Sequence, residues 1–177
     1  EPFLNYLDNL HTLDRMLADL HAALDRAGRL QRTVLVVTGD HGGSDFPERL
    51  AMQGFASAKR VDRKTFLAGI NAELKTKLSL TADPLVSPDM AQFYAVGADR
   101  KTLSEPLRSQ VIAAAVDILK ARPEVEDAFT LTDLLEHKVV ASAPSDYNFR
   151  DRFSQSVMLG RSGDIIVAYK SGVSLSP

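Results

Sequence analysis

The chain has 177 residues, of which 45% are apolar and 25% charged, and its formal net charge is -2. Such a composition supports one sizeable core or two small ones, and the acidic balance, with a pI near 6.1, speaks against the basic surface that nucleic-acid binding requires. No apolar run nears the ~18 residues of a membrane-spanning helix, and the absence of cysteine excludes disulfides and thiolate metal sites.

Phe3, Leu7, Leu10, Leu13, Leu17, Leu20 and Leu24 recur at steps of three and four, with Asp and Arg between them, which predicts a long amphipathic helix stopped at Gly28. Thr33–Val37 is a short, wholly apolar β-branched run, the pattern of a parallel strand covered on both faces. Helix followed by buried strand is half of a β-α-β unit, and the chain opens on Glu1 without the first strand. It therefore reads as a portion of a longer chain, from which a signal peptide could also have been lost.

Further on, Lys64–Leu78 has helical spacing, Met90–Val96 is strand-like, Glu105–Ala121 is a helix with Ser104 as N-cap and Pro106 in its first turn, and Ala128–Leu131 is a short strand. Segments 42–59 and 81–89 are loop-like. This alternation predicts a compact α+β subdomain. Ser154–Leu159 and Ile165–Tyr169, either side of the GRSGD turn at 160–164, predict a hairpin. The expected organisation is a partial α/β core over 1–60, an inserted α+β subdomain over 61–148, and a C-terminal β-hairpin over 149–177 that returns to the core.

The chemistry concentrates in TVLVVTGDHGG, residues 33–43. Ligands of open α/β sheets sit beyond the carboxyl ends of the strands, and there Asp40 and His41 offer a carboxylate and an imidazole, donors suited to zinc or manganese. Gly39, Gly42 and Gly43 allow the backbone to bend around such a site. A solvated turn capped at Asp40 is the other reading of the same residues. Asp133 and His137 have the i, i+4 spacing of a ligand pair on a helix, but Glu136 and Lys138 beside them suit a plain charged helix end. His11 and His21 sit among aspartates on the first helix and read as surface charge. Ser44 and Ser162 lie outside any G-x-S-x-G elbow, and no nucleotide-cradling glycine loop is present. Ser162 reads as turn chemistry.

Taken together, the helix YLDNLHTLDRMLADL and the strand entering VVTGDHGG resemble the alkaline phosphatase superfamily, whose members share a T-x-D-H-G turn. RSGDIIVAYKSG, residues 161–172, is similar to a stretch of type I phosphodiesterase and nucleotide pyrophosphatase relatives, especially the bacterial alkaline phosphatases with a threonine nucleophile. The resemblance implies part of an alkaline-phosphatase-like α/β sandwich with an inserted α+β subdomain. It further implies a periplasmic or secreted two-zinc hydrolase that cleaves phosphate esters through a covalent phospho-enzyme, with Asp40 and His41 as metal ligands.

The nucleophile and an Asp-x-x-x-His ligand pair are expected ahead of Glu1, and a last histidine beyond Pro177. Asp133-x-x-x-His137 follows the Asp-His-Gly turn rather than preceding it, so it is a decoy. The chain by itself is then expected to be inactive, with the unpaired edges of a truncated sheet favouring self-association. The alternative is a non-enzymatic α+β binding or interaction module in which the Asp-His turn only caps structure.

Overall fold

The computed structural model describes residues 2–39 and 45–176, arranged as two compact units, Glu1–Gly43 and Ser44–Pro177. The architecture is mixed α/β, with one parallel strand pair and one antiparallel sheet.

The first unit is built on helix α1, Pro2–Arg26. It stops where the sequence predicts: Gly28 adopts φ 64°, its N–H donates to the Asp25 carbonyl at 2.8 Å, and the Arg29 N–H reaches back to the Leu24 carbonyl at 2.9 Å. This pair of reversed bonds satisfies carbonyls that the helix end leaves open, and only glycine enters that left-handed conformation without cost. A 3₁₀ turn at Leu30–Arg32 follows. Thr33–Val37 then departs from expectation. This run forms no strand, and Val34 and Val36 are 88% and 78% exposed. A strand exists only through the neighbour that takes its N–H and C=O groups, and this run has no ladder partner among the described residues.

The second unit contains α2 (Pro47–Met52), β1 (Lys59–Asp62), α3 (Arg63–Leu78), β2 (Leu85–Val86), β3 (Gln92–Ala95), α4 (Leu107–Lys120), β4 (Val125–Thr130), α5 (Leu131–Glu136), α6 (Phe149–Ser154), β5 (Ile165–Tyr169) and β6 (Val173–Ser176). Strands β2, β3, β5 and β4 form an antiparallel sheet in that order, and β1 pairs with β6 in parallel. Helix α3 starts as patterned, with the Asp62 carboxylate accepting the Thr65 N–H at 2.7 Å. For α4 the cap differs. Pro106 holds the N-cap position without a side-chain bond, and Glu105, not Ser104, serves the first turn by accepting from the Ser109 N–H and hydroxyl.

The expected hairpin does not form. Asn148 and Asp151 exchange a capping box that starts α6, and the Ser154 and Ser156 hydroxyls bond back to the Asp151 and Arg152 carbonyls, so this stretch coils locally. Strand β5 lies instead between β3 and β4, inside the same unit as α3 and α4. The compact unit that contains α3 and α4 spans Ser44–Pro177 and includes β5 and β6.

Both sheet faces are covered, which is why β5 is apolar throughout. Ile165 and Val167 join Phe93, Leu85, Ile70, Leu74, Val111 and Leu119 in the main core beneath α3 and α4. Ile166 points to the other face, where it meets Phe129 and Leu134 with Phe153 and Val157 packed alongside. Asn71 closes the edge: its side-chain amide donates to the Leu85 carbonyl at 3.1 Å and its oxygen accepts the Leu85 N–H at 3.0 Å. A buried amide here substitutes for a ladder neighbour, and no local pattern forecasts it.

Candidate functional site

The path to the expected site runs from α1 through Gly28 and the 3₁₀ turn into extended chain at Thr33, whose hydroxyl donates to the Arg29 carbonyl at 2.9 Å. Asp40 and His41, the two predicted metal ligands, lie outside the described residues, as do Gly42, Gly43 and Ser44. Among the described residues no group of three or more His, Cys, Asp or Glu side chains is placed to hold a metal ion. His11 and His21 are exposed on α1, in keeping with surface charge.

The Asp133–His137 spacing does not produce a pair. Helix α5 ends at Glu136, and His137 is extended at φ -68° and ψ 129°, so the shared helical face is lost. His137 turns to a residue with which it shares no periodicity: its Nε2 lies 2.6 Å from Asp151 Oδ1, both side chains largely enclosed at 19% and 8% exposure. The bond from His137 holds the Asp151 carboxyl below its ordinary value against the opposing effect of burial, and the Asn148 N–H adds to the lowering. The pair ties the exit of α5 to the first turn of α6. Its sequence signal is the capping-box spacing Asn148-x-x-Asp151 alone.

The RSGD motif resolves into distinct parts. Ser162 performs turn chemistry, its hydroxyl accepting the Met158 N–H at 3.0 Å while its own N–H donates to the Met158 carbonyl at 3.0 Å. Gly163 is packed so tightly on β3 that a Cβ there would lie 2.9 Å from the Phe93 carbonyl oxygen. Asp164 is buried, and its carboxylate accepts the Ala95 N–H at 2.7 Å and a bond from the Arg108 guanidinium, joining β5, β3 and α4. The partners of Asp164 stand 56 and 69 residues away, so sequence reading singles out the motif but not this role.

The family model described as type I phosphodiesterase / nucleotide pyrophosphatase matches residues 4–176. Alkaline phosphatase PhoD of Zymomonas mobilis is 34% identical over 164 residues, covering 91% of this chain and 27% of the relative. Alkaline phosphatase PhoK of a Sphingomonas species is 27% identical over 169 residues, covering 93% of this chain and 29% of the relative. The chain thus spans under a third of the length of these curated relatives. The crystal structure of wild-type alkaline phosphatase PafA aligns with 70% of this chain and 22% of its own, at 24% identity and a TM-score of 0.47.

Proposed function

Because the chain belongs to the type I phosphodiesterase / nucleotide pyrophosphatase family, we propose that it forms part of a secreted or periplasmic zinc-dependent phosphohydrolase that cleaves phosphate esters, and that Asp40 and His41 are two of its metal ligands. The observation that carries the reading is the extent of the family match, residues 4–176, which contains both the helix leading into TGDHGG and the later RSGD stretch in order.

The donor set fits: a carboxylate and an imidazole are ordinary zinc ligands, and Asp40 and His41 are adjacent in sequence and flanked by glycines. When bound, zinc supplies Lewis-acid charge toward phosphoryl oxygens and lowers the pKa of a coordinated hydroxyl. What this chain's residues contribute is two donors. Zinc takes three or four protein ligands, so these two bind weakly alone, and this polypeptide by itself is inactive. The nucleophile that would carry a covalent phospho-enzyme is not assigned to any residue of this chain. Self-association through the uncovered run 33–37 belongs to the same reading.

Zinc titrated into the wild-type chain and into His41→Ala tests the ligand assignment. The expected result is weaker binding in the variant, with no zinc-dependent turnover of p-nitrophenyl phosphate by either protein. Equal zinc affinity in the two would remove His41 from the site, and turnover by the wild-type chain would overturn the inactivity.

A further inference from the structure

Asp164 and Gly163 of the RSGD motif are accounted for by packing, whereas Arg161 is not: it is exposed and pairs with no carboxylate among the described residues. It lines a cleft of about 510 Å³ that two other arginines also line, Arg100 from the turn after β3 and Arg108 from the first turn of α4. Asp164 is the only acid among the cleft's described lining residues, and its carboxylate is already engaged by the Ala95 N–H and by Arg108. Arg108 Nε is buried and has no hydrogen-bond partner among the described residues. Positive charge is thus in excess in one concavity of a chain whose net charge is -2.

Both exposed arginines project from fixed backbone. Arg100 sits at φ 62°, a left-handed conformation unfavourable for a residue with a side chain, held by Arg100 N–H to Gly97 O at 3.0 Å, Gly97 N–H to Lys101 O at 2.8 Å and a bridge between Val96 and Thr102. The Arg161 N–H donates to the Met158 carbonyl at 3.2 Å, within the turn that Ser162 closes. The remaining wall includes Val86, Val96 and Leu131. Cationic forks over an apolar wall, in a volume typical of small-molecule sites rather than of a bare ion, define the ligand chemistry.

We propose that this cleft binds a small molecule through a doubly charged oxyanion, a phosphate monoester first of all, with Arg100, Arg108 and Arg161 as its recognition groups. Every group it uses lies in the second unit, and it requires no metal. Calorimetric titration of the full chain in excess chelator, with phenyl phosphate and with inorganic phosphate, tests it. Saturable binding with Kd of about 1 mM or tighter is expected. Arg100→Ala and Arg161→Ala, both at exposed positions, should each weaken it about tenfold or more, and Arg161→Lys, which keeps charge but loses the fork, should fall between. Equal affinity for the two probes assigns the cleft to the free ion, and a preference for phenyl phosphate assigns it to the organic ester. Absence of saturable binding, or alanine variants that bind like wild type, would overturn the proposal. Chelator silences zinc chemistry at Asp40 and His41, so this assignment and the phosphohydrolase reading fail independently.

Discussion

Two apolar runs five residues long stand in contrasting surroundings. Ile165–Tyr169 lies between β3 and β4, with Ile165 at 0% exposure and both faces covered. Thr33–Val37 has no ladder partner among the described residues, and its side chains stand open. The difference teaches that β-branched apolar composition states a capacity to be a central strand, and that neighbours on both edges and both faces convert it into one.

The largest expected break in this contrast comes from truncating a core residue of the second unit. Phe93→Ala empties a site that is fully buried beneath α3 and α4 and should cost about 3–5 kcal/mol in urea unfolding. Val36→Asp in the open run should change the same quantity by no more than about 0.5 kcal/mol and should shift gel-filtration profiles toward monomer. A large destabilisation by Val36→Asp would mean that the run is covered in solution. A profile unchanged from wild type would remove that run as a self-association surface.

A smaller effect sharpens how the sheet edge is finished. Asn71→Ala leaves the Leu85 N–H and carbonyl without their side-chain partner and should cost about 2 kcal/mol. A loss no greater than that of an exposed helix position would show that β2 needs no substitute neighbour.

The mildest expected change concerns acid. The folded carboxyl of Asp151 lies below its unfolded value, so the pair with His137 contributes stability that is present above the ordinary carboxylate range, near pH 4, and is lost as pH falls through that range to the folded value. Asp151→Asn should therefore be less stable at neutral pH and flatter below about pH 4, as read by denaturation midpoints across a pH series. Parallel profiles for the two proteins would remove Asp151 from the acid response.

Much of the local structure is legible in the chain. Helix α1 with its glycine stop, the body of helix α3 and the positions of β3 and β4 follow from periodicity and end signals, because those signals act within a turn or two of their own residues. The readings at Thr33–Val37 and Ser154–Leu159 went astray for one shared reason. An apolar or mixed run of five or six residues is compatible with strand, coil or helix, and a capping box or a missing partner decides. Of the candidate site, the motifs TGDHGG and RSGD were visible, and so was the family they point to. The pairing of Asp164 with Arg108 and of His137 with Asp151 was not, since each joins residues that only a folded chain brings together.

By itself, then, the sequence determined the long helices α1 and α3, the glycine stop of α1 and the family. The tertiary structure alone decided which apolar run became a central strand, that Gly163 and Asp164 clamp β5 to β3 and α4, and that Arg161 joins the sequence neighbours Arg100 and Arg108 in one cleft. The physical reason is range: helix propensity and capping are settled by neighbours in sequence, whereas strand pairing, burial and the gathering of charge are settled by neighbours in space.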